Sequence, residues 1–377
     1  MTQQSSRSGH YEPFGEHLHF VPAALPPQPP LLMDHEMISL FGEAMQSLGR
    51  VDEVGTRIPS KRRFIDVYVA KEAVLSSEIE GINTTLTEVL EYKARQKKPE
   101  NHNIEDVLNY MAAMSHALDM VQTQGLPIAS RVICQTHQVL LAGARGKNKS
   151  PGEFRKVPVF VGKLVPPPAH YVPDLVRDWE RFINEDTTCQ PLIRIGLAHV
   201  QFETIHPFLD GNGRIGRLLI VLMMMNYGLL KYPILYPSVF FKRFRSEYYD
   251  RLDGVRIQSD YENWMKYFLR GIKASADDVV VRAWLIDRLI RESTEKIENA
   301  LSRTREKALK VLEQLCHNPV MTIGDVAELT GTTYPPAQKL VTSFVELGIL
   351  EVEDDKRQRN QSFQFKRYLD ILQKEVD

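Results

Sequence analysis

Residues 206–217 read His206-Pro207-Phe208-Leu209-Asp210-Gly211-Asn212-Gly213-Arg214-Ile215-Gly216-Arg217, which puts a base, a carboxylate, three glycines and two arginines within twelve residues. The glycines also spell G-x-G-x-x-G, the dinucleotide fingerprint, but the context rules it out. That fingerprint follows an apolar strand and needs an acid about 20 residues on. Here residues 192–204 (LIRIGLAHVQFET) carry apolar residues at helical spacing, and Leu235-Tyr236-Pro237 stands where the acid should be. A hairpin turn at Asp-Gly or Asn-Gly fails as well. The following run, 217–226, does not alternate, favours Leu and Met, and stops at Tyr227-Gly228 as a helix does. The stretch reads as helix, glycine-rich loop, buried helix.

Such a loop can aim several backbone N–H groups at an anion on the positive end of the next helix. Arg214 and Arg217, three apart, share a face of the first turn and can grip the same anion with forked donors. Asp210 at the loop mouth is placed as an oxygen ligand for Mg²⁺. His206 precedes proline, which pushes it out of helical geometry, and it can project over the loop as a general base. Singly, a histidine is more often structural and an arginine more often solvated. It is the conjunction that points to a phosphate site.

The stretch resembles the signature of Fic (Fido) domain proteins, H-P-F-x-[DE]-G-N-G-R-x-x-R, with every fixed position present. The resemblance implies a protein adenylyltransferase that moves AMP from ATP to a hydroxyl of a target protein and releases pyrophosphate. It implies that His206 deprotonates the hydroxyl and Asp210 holds Mg²⁺. Gly211, Asn212, Gly213 and Gly216 would belong to the phosphate cradle, with Arg214 and Arg217 on the outer phosphates and Phe208 as a core anchor. The implied fold is mainly α, a helical core with a β-hairpin flap.

Residues 61–82 are a second informative stretch. Their apolar pattern predicts a largely buried helix stopped by Gly81, with Ser76-Ser77-Glu78-Ile79-Glu80-Gly81 as its last turn. A carboxylate there opposes the helix dipole, so Glu80 is either solvated or met by a cation. S-S-E-I-E-G is similar to the Fic inhibitory motif [ST]-x-x-x-E-[GN]. The resemblance implies that Glu80 pairs with Arg217, that Ser76 steadies the pair, and that the γ-phosphate is thereby refused.

The 377 residues suffice for two or three domains, and 43% hydrophobic with 25% charged residues is ordinary for a globular chain. A net charge of −1 advertises neither nucleic acid nor membrane, and no apolar run is long enough to span a bilayer. Cys134, Cys189 and Cys316 lack metal spacing and read as reduced thiols, and Met1 to Gly9 lacks a secretory core, so a cytoplasmic protein is expected.

Taken in order, the chain opens with a polar lead-in over residues 1–20 and a proline-rich strap over 21–32 (VPAALPPQPPLL). Helices follow over 33–49, 61–82, 84–95, 104–124 and 129–141, with His137 structural or on the surface. The polar break at 97–102 divides an N-terminal region, 1–100, from the core, 101–302. Residues 150–168 (SPGEFRKVPVFVGKLVPPP) alternate and are flanked by Pro and Gly, which predicts a hairpin or extended flap. In relatives such a flap docks the target by strand addition, here at about 155–165, and Val161, Gly162, Lys163 and Leu164 match its nucleotide-touching part. Helices over 171–184 and 192–203 lead into the signature. His199, Glu203 and His206 invite a zinc reading but lack H-E-x-x-H spacing.

Beyond the signature, Tyr248-Tyr249 is an adenosine-pocket pair in relatives, with a core role open for one of the two. The asparagine that relatives place further on falls near Arg256. Helices over 264–272 and 275–301 follow, the second a connector or dimer contact. Residues 303–377 read as a winged helix with Lys356, Arg357 and Arg359 at the wing tip and only Lys339 on the recognition helix. That favours protein contact over DNA reading. The leading expectation is an Mg²⁺- and ATP-dependent adenylyltransferase restrained by Glu80. The alternatives are a nucleotide-sensing regulator that binds DNA through the winged helix, and an AMP-removing enzyme in which Glu80 positions water.

Overall fold

The computed structural model describes residues 6–57, 61–95, 101–143, 145–146, 148–162, 164–352 and 361–373. Most of them are helical. The lead-in contains a feature that its polarity concealed: β1 (Gly9–Phe14) and β2 (His17–Pro22) form an antiparallel hairpin, Phe14 facing His17 across the turn. Burial in β2 does not alternate: His17 and Leu18 are exposed and His19, Phe20, Val21 and Pro22 are buried, so the period of two that marks a half-buried strand is missing. The proline strap then lays Leu25 and Leu31 on the core, and Gln201 donates to Ala23 O at 2.8 Å.

Helix α1 (His35–Arg57) packs along the long helix of residues 261–300, and α2 (Lys61–Ile79), buried on nearly all sides, ends where Gly81 turns left-handed at φ 81°. Thr85 and Glu88 then cap α3 (Leu86–Arg95) reciprocally, Thr85 N donating to Glu88 Oε2 at 2.7 Å and Glu88 N to Thr85 Oγ1 at 3.2 Å. The expected helix over 104–124 is α4 (His102–Leu118) continued by a π-turn, Asp119–Thr123. The break at residues 97–100 lies outside the described residues. Next come α5 (Ser130–Leu140), the extended flap, α6 (Val172–Glu185), α7 (Pro191–Ile205) and α8 (Asn212–Asn226). Helices α7 and α8 are buried on all faces because they form the centre of the molecule, and they carry buried polar groups as well as apolar ones.

Helices α9 (Ser238–Arg243) and α10 (Arg245–Gln258) form a corner over the end of α2. The two helices expected over 264–301 are one, α11 (Tyr261–Ala300), about 60 Å long. Lys273-Ala274 contains no breaker, so the backbone bonds continue through it. Its inner face carries Asp278 and Arg282, which meet α2 through Lys71, 3.5 Å from Asp278.

The C-terminal part comprises α12 (Arg305–Leu315), β3 (Val320–Thr322), α13 (Ile323–Thr330), α14 (Tyr334–Glu346), β4 (Glu351–Val352), β5 (Ser362–Gln364) and α15 (Lys366–Gln373). The expected two-stranded wing is a three-stranded antiparallel sheet, ordered β3-β5-β4. Lys356, Arg357 and Arg359 lie outside the described residues. Among the described residues, no helix is long and apolar enough to cross a membrane.

Candidate active site

Helix α7 ends on His206, which takes the left-handed conformation at φ 49°, ψ 63°, its N–H bonded to Phe202 O at 2.9 Å. Proline at 207 was expected to drive the residue before it toward extended backbone. The helix-ending bond takes it to the left-handed region instead, a strained state for a non-glycine residue that its surroundings must enforce. Arg155 is the enforcer. It is buried, donates from Nε to His206 O at 2.8 Å and from Nη2 to Pro167 O at 2.6 Å, and its own N–H reaches Pro207 O at 2.8 Å. One side chain thus ties both arms of the flap to the main chain of His206. The sequence reading missed Arg155, because a lone arginine in a loop carries no pattern.

The loop is closed by two further devices. The Asn212 side chain accepts from Phe208 N and donates to Phe208 O, both at 2.9 Å, so its amide serves the loop and only its main chain is left for an anion. Phe208 stacks on His137 with ring centroids 3.7 Å apart and planes 7° from parallel. His137 Nδ1 accepts from Gly152 N at 2.9 Å, so Nε2 carries the proton and donates to Asp210 O at 3.0 Å. Burial pushes His137 down to about 4 and keeps it neutral. His137 is therefore structural rather than on the surface, and it links α5, the flap and the signature loop.

The cup itself lies at the start of α8. Gly211, left-handed at φ 78°, turns the chain so that the first intrahelical bond is Ile215 N to Gly211 O. That leaves the N–H groups of Asn212, Gly213 and Arg214 in the helix's orphan turn. Arg214 is buried, and among the described residues its Nε and Nη1 have no hydrogen-bond partner. Its Nη2 lies 3.6 Å from Asp210 Oδ1, which also accepts from Gly211 N. Two orphaned guanidinium donors beside a helix N-terminus are what an oxyanion would satisfy.

Arg217 is engaged through Nε and Nη2. Its Nε donates to Ser76 Oγ at 2.9 Å, and its Nη2 donates to Ser76 O at 2.9 Å and to Glu80 Oε1 at 2.7 Å. Glu80 reaches over the cup floor: a Cβ placed on Gly213 would lie 2.3 Å from Glu80 Oε1. Burial pushes the Glu80 carboxyl up, but Arg217, helped by Arg214, outweighs it and holds the group ionised. The end of α2 is clamped from behind. Arg245 Nε donates to Ile79 O at 3.0 Å, Lys242 pairs with Glu78, and Ser238 Oγ donates to buried Glu72 at 2.5 Å.

Gly216 departs from expectation. It faces α7 instead of the cup: a Cβ there would meet Glu203 Oε1 at 2.3 Å, and its carbonyl accepts from His199 Nδ1 at 3.1 Å. It is a close-packing glycine. Tyr248 is likewise a core residue, its hydroxyl bonded to His199 Nε2 at 2.8 Å. Half-buried Tyr249 carries Arg245 5.5 Å over its ring, and both tyrosines lie close enough to feel the charges of Glu80 and Arg217. In the flap, Val161 and Leu164 exchange a single pair of hydrogen bonds at 2.9 Å around Gly162. Lys163 lies outside the described residues. Among the described residues, the ties between flap and signature loop run through Arg155 and His137 rather than residues 161–164. Arg256 is buried behind the base, donating to Thr204 Oγ1 at 3.1 Å and pairing with Asp253.

Burial, then Arg256, pushes His206 down to about 4, so it is a neutral proton acceptor near pH 7. Nδ1 lies 3.4 Å from Glu203 O, which leaves Nε2 for a substrate. Glu203 is itself buried, with Oε1 unpartnered among the described residues, and burial lifts it to about 7. Among the described residues, no three His, Cys, Asp or Glu side chains assemble a metal site. His199 is spent on Gly216 and Tyr248, which leaves the zinc reading without support. Asp210 suits Mg²⁺ better: its carboxylate is half-exposed at the loop mouth, and Mg²⁺ takes one or two carboxylates plus phosphate oxygens and water.

Residues 38–119 match the Fic/DOC family N-terminal model and residues 127–224 the Fic/DOC family model. A probable protein adenylyltransferase from Aquifex aeolicus is 27% identical over 173 residues, covering 44% of this chain and 51% of that protein. The Drosophila melanogaster protein adenylyltransferase Fic is 33% identical over 178 residues, covering 45% of this chain and 34% of that protein. The chain thus spans about half or less of the length of these relatives. Among solved structures, a Fic family protein from Desulfovibrio desulfuricans superposes with a TM-score of 0.57 at 21% identity, covering 89% of this chain and 98% of that one. The fold is therefore of the Fic type, and this chain carries a Fic/DOC domain, its N-terminal part at residues 38–119 and its signature part at 127–224.

Proposed function

We propose that the protein is an Mg²⁺- and ATP-dependent protein adenylyltransferase held off by its own Glu80. The observation that carries this reading is the contest over one cup. Arg214 has unmatched buried donors, while Arg217, one turn on, is neutralised by a carboxylate from another helix. In the reaction, His206 Nε2 takes the proton from a target hydroxyl. The hydroxyl oxygen bonds to the α-phosphorus, the bond from that phosphorus to the α,β-bridging oxygen breaks, and pyrophosphate leaves. The N–H groups of residues 212–214 and the Arg214 guanidinium hold the phosphates. Mg²⁺ on Asp210 would neutralise phosphate charge. With Glu80 on Arg217, the γ-phosphate meets a carboxylate where a cation should be. ATP then binds with its α-phosphate misaimed, and rate suffers more than affinity.

The relatives' names, protein adenylyltransferase, support the same chemistry. The flap is read as the target's docking strand at about 155–165, where Val157 and Phe160 are exposed. The division into 1–100, 101–302 and 303–377 is kept, with the last part a winged helix engaged in protein contact. In support, Gln373 bonds Thr87 of α3 at 2.7 Å and Arg282 of α11 donates to Ile371 O, so this part already contacts the rest of the chain through side chains. A cytoplasmic location is part of the reading.

The test is incubation with ATP labelled at the α- or γ-phosphate, using wild type, Glu80→Gly and His206→Ala. Strong α-label on protein with Glu80→Gly, little with wild type and none with His206→Ala is the expected result. Label arriving only from the γ position would mean kinase chemistry and sink the reading.

A further inference from the structure

The β1–β2 hairpin is fastened to the second arm of the flap. Phe20 N donates to Val165 O at 2.9 Å, and the buried His19 ring lies with Nδ1 2.6 Å from Pro166 O. The next carbonyl, Pro167 O, accepts from the Arg155 guanidinium that also holds His206 O. Three successive flap carbonyls thus join the hairpin to the main chain of the base.

The hairpin also brings a row of rings to the flap. Phe14 and His17 are cross-strand partners, so their side chains share one face. His17 meets Phe160 of the flap edge-on, with ring centroids 4.9 Å apart, and Phe14 meets His170 at 5.2 Å. The row runs His170, Phe14, His17, Phe160. All four are exposed, Phe14 by 46% and Phe160 by 60%, and Val157 on the flap is exposed as well. Bare rings gathered from three separate segments mark a contact surface rather than scatter. Of the charged groups nearby, among the described residues, Lys156 pairs with Glu153 at 2.8 Å. Glu12 accepts from Tyr171 at 3.1 Å and lies 3.7 Å from His10, and exposed Glu16 stands on the hairpin turn. These charges favour an apolar side chain on the row over an acidic one.

We infer that this row is a second part of the target dock, and that it takes an aromatic or large aliphatic side chain of the target protein lying a few residues from the modified hydroxyl. This rests on the reading of the flap as the target's docking strand. A strand added to the flap is held by its main chain, which discriminates little between sequences. The row adds the side-chain preference. The spacing fits, because Arg155 N is bonded to Pro207 O beside the base and Phe160 lies five residues further along, at most about 17 Å away. The preferred side chain therefore falls within about five residues of the acceptor. Leu18 is exposed too, but neighbours in a strand point to opposite faces, so it lies off the row.

Binding of the full chain, without ATP, to arrayed peptides of about eleven residues tests this, a length that reaches about five residues to either side of a central acceptor. Each peptide carries one serine, threonine or tyrosine at its centre, with every flanking position set in turn to each residue type. Wild type is expected to favour peptides with an aromatic or large aliphatic residue at a fixed place within about five residues of the hydroxyl. Phe14→Ser and Phe160→Ser should each cut that preference about three- to tenfold, the worth of one aromatic contact, and Leu18→Ser should leave it unchanged. Both phenylalanines are exposed, and circular dichroism checks that each variant is folded. Binding without an apolar preference overturns the inference, as does a preference that survives both substitutions or is lost equally in Leu18→Ser. Self-association of wild type that Phe160→Ser abolishes would give the row to a second copy and also overturns it. The same array incubated with Glu80→Gly and α-labelled ATP separates the dock from the chemistry. Peptides bound with the preference but never labelled would sink the transferase reading and leave the dock standing. Labelling without the preference would do the reverse.

Discussion

The two halves of the cup differ although they share one helical turn. At the outer half, Arg214 is buried with two donors unmatched, next to a half-exposed Asp210. At the inner half, Arg217 spends Nε and Nη2 on Ser76 and Glu80. The difference does not come from the arginines. It comes from where α2 ends: Gly81 stops that helix at the depth of Arg217, and Arg245, Lys242 and Ser238 hold it there. An ion pair with its arginine buried is a poor source of stability, because desolvating that arginine consumes much of the Coulomb gain. On the proposed function it serves as a gate, since a γ-phosphate would offer Arg217 the same sign of charge that Glu80 does.

Four experiments sharpen or break this contrast. The largest effect is expected where both halves converge, at the base. In a Glu80→Gly background, His206→Ala should lower the rate of AMP transfer by about 10²–10⁴-fold, the usual worth of a general base. A loss under tenfold would remove His206 from the chemistry. Next, Glu80→Gly alone should raise the transfer rate by about tenfold to a hundredfold, the scale of a misaimed reacting atom, with little change in ATP affinity. A gain seen wholly as tighter ATP binding would make Glu80 a simple competitor. Third, by calorimetry on the otherwise wild-type chain, Arg214→Gln should weaken ATP binding about tenfold, the value of a charge-assisted hydrogen bond. Arg217→Gln should weaken it less while Glu80 is present. Equal losses would mean that the two halves are in the same state.

The smallest effect concerns pH. Burial raises Glu203 to about 7, so the folded state binds its proton more tightly than the unfolded chain does. Its contribution is therefore present at low pH and is lost as pH rises through about 4.5 to 7. The histidines act in the other direction. His137 and His206 sit near 4 and His199 near 3, so their contribution is lost as pH falls below 6.5. Glu203→Gln cannot ionise and should raise Tm at pH 8 relative to pH 5 by about 1–2 °C, the effect of roughly 1 kcal/mol in a chain of 377 residues. An equal change at both pH values would show that Glu203 does not titrate on unfolding.

Some of this was legible without coordinates. The helix–loop–helix of the signature, the buried helix ending at Gly81 and the two arginines on one face follow from residue type and short spacing. The pairing of Glu80 with Arg217 was reached through the likeness of two motifs and is seen in the geometry. The β1–β2 hairpin is not legible because burial in β2 does not alternate: His17 and Leu18 are exposed and the next four residues are buried. The unbroken α11 was cut in two where its apolar period weakens, although no residue there stops a helix.

By itself the sequence determined the chemistry on offer and the local shape that presents it: a base before a proline, a glycine turn, a helix N-terminus and its two guanidinium groups. These depend on backbone propensities and on neighbours three or four residues away. Only the tertiary structure decided which groups are already spent. Glu80 meets Arg217 across 137 positions, Arg155 pins His206, His137 carries Phe208, and Gly216 and Tyr248 belong to the core rather than the cup. Those partners are set by how whole helices pack, and a buried donor takes whichever acceptor that packing brings within reach.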